Sequence, residues 1–351
     1  MEVDLFMEFA SPPRARASAA AVFEDGLALA RAADAAGFGA VWVAEHHFLG
    51  DYSNSSAPDM LLAAMARETR RIKLGFGVLP LPIHDPVRVA ERLFTLDLLS
   101  GGRVLWGVGR GVTVTELEGF GVAPADSRRI FKERFQHLAA ILQTGTATRG
   151  GKAYEIRPRA GSGLGTGWLA AVSPESFELA AELGLDVMAG PFKPWPMVAA
   201  DLARYRRLRP AGRTSFTLAV YCAEDHAAAR RRAEDGLVWA YRRIMEVTKP
   251  LLAKRLAGYE HYRKLGWAAP LLDKVLTLPV LETFGLAAVG DPDHVARKLA
   301  KLRDSGLDRV NLVIGGGNLE VAETVRTVQL LAEKVLPALT SEAFVAAAAP
   351  A

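Results

Sequence analysis

Two histidines stand next to each other in the segment GluHisHisPhe at residues 45–48. Histidine titrates near neutral pH, so one of these rings could donate or accept a proton in a reaction. If the segment continues a strand, at most one of them faces a site, because successive side chains alternate. A structural pair with Glu45 as hydrogen-bond partner is an equally good interpretation. A zinc site is weaker, since His84 is the only other histidine on a nearby predicted loop, and we predict no metal.

A second set of residues is suited to binding an anion. Arg110 follows a predicted strand in the glycine-rich segment 107–111, and arginine makes forked hydrogen bonds to phosphate. Ser173 and Ser176 stand at the start of a predicted helix, whose N-terminal end attracts anions, and Arg128 precedes another helix. Each also has a purely structural interpretation, namely a solvent-facing arginine or helix capping by Ser173.

The elements that would position these residues alternate regularly along the chain. Short apolar or β-branched segments alternate with amphipathic segments of helical length, the pattern of βα units around a parallel sheet. Proline at the first turn and glycine after the last turn mark several helices. Eight strands are predicted, at residues 3–9, 40–45, 72–79, 104–109, 168–172, 187–189, 215–221 and 309–314. The clearest helices are predicted at residues 23–36, 87–99, 175–183 and 293–305.

Eight strands, each followed by a helix, predict a single (β/α)8 TIM barrel, in which catalytic groups lie on the loops after the strands. The chain of 351 residues has one candidate linker, residues 145–167, and strand and helix segments alternate in the same way on both sides of it. We therefore predict one barrel domain over residues 1–340 and an alanine-rich tail at 341–351. After strand seven we predict a helical insertion at about 230–288, with aromatic-rich stretches at 239–241 and 259–262.

The composition excludes several functional classes. The chain is 50% hydrophobic and 23% charged with a net charge of +4, so it can bury a large core but has no dense basic face for nucleic acid. No apolar run reaches the roughly 18 residues of a transmembrane helix. Cys222 is the single cysteine, and the acidic residues Glu2, Asp4 and Glu8 are unlike a secretory signal. We therefore expect a cytoplasmic protein.

These motifs together resemble those of the bacterial luciferase-like family of flavin-dependent monooxygenases. The combination of GluHisHisPhe with GlyArgGly at 109–111 is specific to this family, and the order and spacing of the other segments also fit. The chain is more similar to the catalytic alpha chain of luciferase than to its partner chain. The matching segments are residues 37–48, 78–91, 98–111, 120–128, 180–185 and 289–296.

The resemblance assigns roles to the residues named above. It implies that His46 is the catalytic proton-transfer group and that Glu45 is its neighbour in the site wall. It places a bend of strand three under the flavin at Gly75–Phe76. The residues that would hold the phosphate of FMN are Arg110, Arg128, Ser173 and Ser176. For the substrate pocket we expect His47, Phe192 and Trp195.

The resemblance also implies a chemistry. Reduced FMN would react with O2 to give a flavin C4a-(hydro)peroxide, and a histidine of near-neutral pKa would control its protonation. The expected reaction is hydroxylation, or a Baeyer–Villiger or aldehyde-type oxidation, of a small apolar molecule that is free or bound to a carrier. Val112 and Thr166 stand where a dinucleotide-binding turn would need its third glycine. We therefore expect a two-component system, in which a separate NAD(P)H:flavin reductase supplies FMNH2 to a homodimer.

The resemblance leaves one departure and two alternatives. Luciferase has a reactive cysteine beside its phosphate-binding arginine, where this chain has Gly109, so light emission is not implied. An F420-dependent oxidoreductase, which transfers hydride and does not use O2, would share the same barrel. A non-catalytic flavin-binding protein is the other alternative, against which the presence of Glu45, His46 and Arg110 argues.

Overall fold

The computed structural model describes residues 1–11, 18–111, 113–161, 163–253 and 276–340. Two predicted features lie outside the described residues, namely the alanine-rich tail at 341–351 and the aromatic stretch at 259–262. The limits of the barrel domain, residues 1–340, therefore stay a prediction.

Parallel strands form the centre of the fold. They are β1 (Glu2–Met7), β2 (Ala40–Val43), β3 (Lys73–Pro80), β4 (Val104–Gly109), β5 (Trp168–Ala171), β6 (Asp186–Ala189), β7 (Thr214–Cys222) and β8 (Arg309–Ile314). Each strand pairs with the next along the chain, and β8 pairs with β1, so the sheet closes into an eight-stranded barrel. The predicted single (β/α)8 TIM barrel is confirmed, and the strand ends lie within two residues of their predicted positions.

The circular order places the β8–β1 edge opposite the β4–β5 edge. Two strands separate these edges in either direction, β2 and β3 on one side and β6 and β7 on the other. The C-terminal ends of parallel strands all lie at one end of a barrel. Loops that follow β4 and β5 therefore face loops that follow β8 and β1 across the same mouth.

The strands are buried on both faces, as is typical of a parallel sheet covered by helices. In β2 all four residues are buried, and they alternate between the inside and the outside of the barrel. Trp42 points inward, where its ring meets that of Trp168 at 5.9 Å between centroids. Val41 and Val43 point outward and pack under the surrounding helices.

A buried ion pair lies toward the end of the barrel where the strands begin. Asp4 is completely buried, and its Oδ2 accepts hydrogen bonds from Trp42 Nε1 (2.9 Å) and Arg309 Nη1 (2.6 Å). Arg309 is 1% exposed and also pairs with Glu2. Burial raises the pKa of Asp4, and the charge and hydrogen bond of Arg309 oppose that rise. The network ties β1, β2 and β8 together.

Helices surround the barrel, and several begin where the sequence signals them. Ser18 caps α1 by accepting a hydrogen bond from Ala21 N at 3.2 Å, while Asp85 and Asp291 cap helices that start with proline. The described helices are α1 (Ala19–Ala35), α2 (Pro58–Glu68), α3 (Pro86–Ser100), α4 (Val114–Gly119), α5 (Ser127–Thr144), α6 (Pro174–Glu182), α7 (Trp195–Leu208), α8 (His226–Asp235), α9 (Leu237–Ala253), α10 (Leu278–Thr283), α11 (Pro292–Asp304), α12 (Val321–Leu330) and α13 (Leu336–Thr340).

The region after β7 contains the predicted helical insertion and one feature that was not predicted. The insertion includes α8, α9 and α10, and it ends in a short strand, Ala287–Gly290, that pairs with the last residues of β7. The predicted loop at 145–167 likewise contains an antiparallel hairpin of Thr146–Arg149 and Lys152–Glu155. Within the described part of the chain, none of the helices has the length and apolar character needed to cross a membrane.

Candidate active site

A cavity of about 620 Å³ opens among the loops that follow the barrel strands. Its volume lies within the ~300–1,000 Å³ that is typical of small-molecule sites. Most of the wall is apolar, and its charged side chains concentrate around His46 and around Arg110. The cavity therefore has a polar centre, a cationic end and an apolar remainder.

His46, which follows β2, lies between two carboxylates. Its Nδ1 is 3.0 Å from Glu116 Oε1, and its Nε2 is 3.3 Å from Glu8 Oε2. The backbone N–H of His46 donates to the carbonyl oxygen of Ser55 at 3.0 Å, and the edge of the ring meets Tyr52. The side chain is 12% exposed, so the ring is held in one orientation on the cavity wall.

Both carboxylate oxygens of Glu116, in the first turn of α4, take part in hydrogen bonds at this site. Its Oε1 also accepts the backbone N–H of His47 at 2.9 Å, and its Oε2 accepts the hydroxyl of Thr113 at 2.6 Å. The Thr-x-x-Glu spacing would allow a capping box, in which the glutamate reaches back to the N-cap backbone. Thr113 does cap the helix, accepting from Glu116 N at 3.2 Å, but the carboxylate turns to His46 instead.

These contacts set the charges of the site. Burial by itself lowers the pKa of His46, but the hydrogen bonds and charges of Glu116 and Glu8 raise it to about 10. The ring is an imidazolium at neutral pH, so the expectation of a near-neutral pKa is wrong. Burial raises the pKa of Glu116, yet hydrogen bonds from His46 and Thr113 lower it overall. Burial and the charge of Glu8 raise the pKa of Tyr52 well above its usual value.

Replacing Glu116 by glutamine is expected to move the pKa of His46 from about 10 back toward the usual 6.5. The physical reason is the loss of one of the two carboxylates that stabilise the charged ring. An NMR titration of the ring measures this change. Glu118→Gln, which removes an exposed carboxylate from the same helix, is the matched control and should leave the pKa unchanged. An unshifted titration in the Glu116→Gln protein would contradict the assignment.

The same charge makes stability depend on pH. A raised folded-state pKa stabilises the fold fully below the unfolded value of about 6.5, and that stabilisation is lost as the pH rises through about 10. Urea unfolding across this range should show a larger alkaline loss of unfolding free energy in the wild type than in Glu116→Gln.

Glu45 lies on the cavity wall, and neither of its side-chain hydrogen bonds goes to His46. Its Oε1 accepts hydrogen bonds from Nε2 of His47 (2.9 Å) and from Nε2 of His84 (2.5 Å). Arg92 donates to His84 Nδ1 at 3.1 Å, which leaves the proton of that ring on Nε2. Burial raises the pKa of Glu45, yet the hydrogen bonds of the two histidines lower it overall. Its partners are therefore His47 and His84.

The cationic end of the cavity lies on the β4–β5 side. Ser176 Oγ donates to the carbonyl oxygen of Ser173 at 2.6 Å and lies 3.3 Å from Ser173 Oγ. Ser173 is the N-cap residue of α6, but its side chain accepts no capping hydrogen bond, so capping does not occupy the hydroxyl. Lys132 of α5 also lines this end and was not foreseen, and it pairs with Glu182 at 3.4 Å. Glu175 and Glu178 of α6 line the cavity as well, so the cations are accompanied by carboxylates. The predicted residues that line it are Arg110, Arg128, Ser173 and Ser176.

These residues suit a flavin-type cofactor that carries a phosphate. Two arginines, two hydroxyls and the N-terminal end of α6 suit a phosphate dianion. A Cβ atom at Gly109 would lie 2.8 Å from Val78 Cγ2, so glycine at this position lets β4 approach Val78 closely on the cavity wall. The wall between the cationic end and His46 is formed by small residues, among them Gly77, Val78, Gly109 and Ala170.

A sequence model of luciferase-like monooxygenases matches residues 1–309 of the chain. The chain belongs to the luciferase-like monooxygenase family. A limonene 1,2-monooxygenase from Rhodococcus erythropolis is 30% identical to it over 342 residues, which cover 92% of this chain and 83% of the relative. Monooxygenase relatives of this kind support the conclusion that the chain is an oxygenase.

Solved structures agree with this membership. The monooxygenase RslO1 from Streptomyces bottropensis superposes with a TM-score of 0.79 at 25% identity, covering 96% of this chain and 99% of that one. The oxygenating constituent of 3,6-diketocamphane monooxygenase from Pseudomonas putida, solved with FMN, has a TM-score of 0.77 at 19% identity, with 96% and 98% covered. At 19% identity, the similarity to this second structure is evidence for the fold alone.

In this family member a non-proline cis peptide bond lies at Gly77–Val78, two residues beyond Gly75–Phe76, where the bend of strand three was expected. Gly77 and Val78 line the cavity, whereas Phe76 is completely buried. A Cβ atom at Gly75 would lie 2.3 Å from Trp42 Cε3, so this glycine makes room for a core tryptophan. The expected position is therefore corrected by two residues, to the place where the β3–β4 register shifts.

The expected pocket residues are only partly brought together. Phe192 lines the cavity, whereas His47 and Trp195 do not. The His47 ring packs against Phe120 at 4.8 Å between centroids, and Trp195 packs against Phe216 at 4.9 Å. His47 directly follows the cavity-lining His46 and points to the other side of the chain, whereas Trp195 is the first residue of α7.

Two kinds of chemistry find no support at this family member's site. Among the described residues, no group of three or more His, Cys, Asp or Glu side chains is arranged to hold a metal ion. Cys222 is 1% exposed, and burial raises the pKa of its thiol to about 12. It lies on β7, three strands from Gly109 on β4, and does not replace a reactive cysteine there.

Sequence analysis missed the carboxylates that hold His46. Glu8 ends the first predicted strand segment, where a barrel places functional groups, so its position was a usable signal. Glu116 gave a different signal, the Thr113-x-x-Glu116 spacing, which pointed to helix capping and not to the site.

Proposed function

We propose that this protein is a monooxygenase that uses reduced FMN and O2 to oxidise a small, apolar, uncharged organic molecule by hydroxylation or Baeyer–Villiger oxidation. The observation that carries the proposal is one apolar cavity with a dianion-binding end and a protonated histidine. When bound, reduced FMN would supply the reaction with O2.

The cationic end would hold the phosphate of FMN. Arg110 and Arg128 would provide forked hydrogen bonds, and the Ser173 hydroxyl would add a donor at the N-terminal end of α6. The Ser176 hydroxyl, whose proton goes to the Ser173 carbonyl oxygen in this structure, would turn toward the phosphate to become a further donor. Gly77 and Gly109 line the part of the wall on which the ring system would lie, beside His46.

His46 would act as a proton donor and as a fixed positive charge. Its Nδ1 proton is shared with Glu116, which is 6% exposed, whereas Nε2 lies farther from its carboxylate, 3.3 Å from Glu8 Oε2. The Nε2 proton is thus the more available one. A charge that is fixed before the reaction stabilises negative charge that develops on oxygen.

Aromatic side chains would keep water out of the reaction. Phe192 lines the cavity, and a Cβ atom at Gly190 would lie 2.7 Å from its ring, so the ring is closely packed on the backbone. Trp239 and Tyr241 of the insertion line the cavity from another side, and the Tyr241 hydroxyl donates to the carbonyl oxygen of Leu286 at 2.7 Å. Excluding water strengthens every charge interaction inside a site.

The proposal predicts that Arg128→Ala weakens FMN binding by about 10- to 150-fold, the equivalent of a charged hydrogen bond of ~1.5–3 kcal/mol. Quenching of FMN fluorescence during titration measures the affinity. Arg129→Ala is the matched control, because Arg129 is an exposed neighbour that pairs with Asp126 and Glu133 and does not line the cavity.

A parallel titration with F420 distinguishes the alternative cofactor. Tight binding of F420 with no saturable binding of FMN would overturn the proposal in favour of a hydride-transfer enzyme. Saturable FMN binding without any oxygen-dependent product would favour a non-catalytic flavin-binding protein.

The proposal also includes the partners expected from the sequence. A separate NAD(P)H:flavin reductase would supply FMNH2, the substrate would be free or carrier-bound, and the enzyme would be a cytoplasmic homodimer. What supports the reductase is the lack of a dinucleotide-binding glycine turn in the sequence, where Val112 and Thr166 replace glycine.

A further inference from the structure

The apolar part of the cavity forms an arm on the side opposite the cationic end. Residues that follow β1 and β8 line it together with residues of α1 and α12, and we call it the β8–β1 arm. The β8–β1 edge lies opposite the β4–β5 edge, so the arm and the phosphate end occupy opposite sides of the mouth. The residues that define the arm are Phe9, Val22, Gly26, Leu29, Leu319 and Val321.

Among the described residues of the arm there is a carboxylate but no cation. Among the described residues that line the cavity, the cations are His46, Arg110, Arg128 and Lys132, and none of these belongs to the arm. Asp25, an exposed residue of α1, is its carboxylate, and burial together with the charge of Glu320 raises the pKa of Asp25. Among these described side chains, an anionic ligand would lose hydration without gaining a cationic partner. An uncharged chain would gain about fourfold in affinity for each buried methylene.

Phe9 lines the arm, and its position is fixed from two sides. Its backbone has φ 54°, unusual for a residue with a side chain, and its carbonyl oxygen accepts two hydrogen bonds from Asn54, at 2.9 and 3.0 Å. The ring is 6% exposed and lies directly on Gly26, in the middle of α1. A Cβ atom at Gly26 would lie 2.3 Å from Phe9 Cε1. Glycine disfavours a helix interior, so its presence there is explained by the ring it admits.

We propose that the β8–β1 arm is the substrate subsite for an uncharged, elongated apolar molecule, and that Phe9, seated on Gly26, sets the length it accepts. The assignment of the ligand as substrate rests on the proposed function, because oxidation would then take place beside His46. The arm itself is a property of the described residues, and its ligand preference can be measured without turnover.

The test is a calorimetric titration of the full chain with straight-chain alcohols from hexanol to dodecanol, with and without oxidised FMN. The wild type should bind each longer alcohol about fourfold more tightly up to a limiting length, and the matching carboxylic acids at least about tenfold more weakly. In Gly26→Ala the added methyl group would push the Phe9 ring into the arm. The longest alcohol that the wild type accepts should then bind at least about tenfold more weakly, the equivalent of two lost methylenes.

Two further variants test whether the effect of Gly26→Ala acts through the Phe9 ring. Phe9→Ala should move the limit to longer alcohols, and it tests the wall even if Gly26→Ala does not fold. The double variant should behave like Phe9→Ala, because the new methyl group then has no ring to displace. Equal binding of acids and alcohols, or an unchanged length limit in both single variants, would overturn the proposal.

The failure of this proposal is distinguishable from that of the proposed function. Arg128→Ala should lose FMN affinity and keep its alcohol affinity when FMN is absent, since the two ends of the cavity are separate. If the wild type bound no FMN, the proposed function would fail, and the alcohol titrations would still decide whether the arm is an apolar subsite.

Discussion

Replacing His46 by alanine is expected to lower kcat/KM by about 10²- to 10⁴-fold, the usual contribution of a positioned proton donor. The variant loses both the proton on Nε2 and the positive charge that Glu8 and Glu116 maintain. The assay is product formation from photoreduced FMN, isotope-labelled O2 and a panel of neutral terpenes and ketones, followed by mass spectrometry. Incorporation of one labelled oxygen atom would identify a monooxygenase reaction directly.

His47→Ala is the matched control for this experiment. The ring of His47 is adjacent in sequence but bonds to Glu45 and packs on Phe120, away from the cavity wall. Its removal should cost far less activity than removal of His46, and both variants should keep their FMN affinity. Equal losses in the two variants would refute the role assigned to His46, since the effect would then come from the shared loop.

Replacing Arg309 by methionine is expected to lower the free energy of unfolding by about 3–5 kcal/mol, the cost of breaking a buried ion pair. Asp4 would keep its hydrogen bond from Trp42 but lose the guanidinium that is 2.6 Å from its Oδ2, at a place with no access to solvent. Urea unfolding of the full chain, followed by circular dichroism, measures the change.

Two further variants separate this effect from general damage. Arg213→Met removes the 42% exposed partner of Glu2 and should cost no more than about 1 kcal/mol. Asp4→Leu combined with Arg309→Met removes both charges and should recover most of the lost stability. If the double variant were as unstable as Arg309→Met, the loss would reflect packing and not an unpaired charge.

The barrel was predictable from the sequence because its signals are local. Apolar strand segments, and proline at the first turn of α3, α6 and α11, each lie within a few residues of the element they mark. The strand Ala287–Gly290 carried no comparable signal, because it exists through pairing with the end of β7, far away in the chain.

The cationic end was predictable for a similar reason. Arg110 and Ser173 stand one and two residues after a barrel strand, where side chains from distant parts of the chain meet. The environment of His46 was only partly predictable, because Glu8 stands directly after β1 but Glu116 comes from 70 positions away. The sequence suggested that Glu45 holds a histidine by a hydrogen bond, and the fold shows that it holds two, His47 and His84.

The buried thiol has a practical use. Cys222 is the single cysteine of the chain, it is 1% exposed, and its raised pKa keeps it from forming the reactive thiolate. A cysteine introduced at an exposed position such as Glu118 would therefore react selectively with a maleimide dye, with no need to remove the native one. Such a fluorophore, attached to the same short helix as Glu116, would report ligand entry into the cavity in real time.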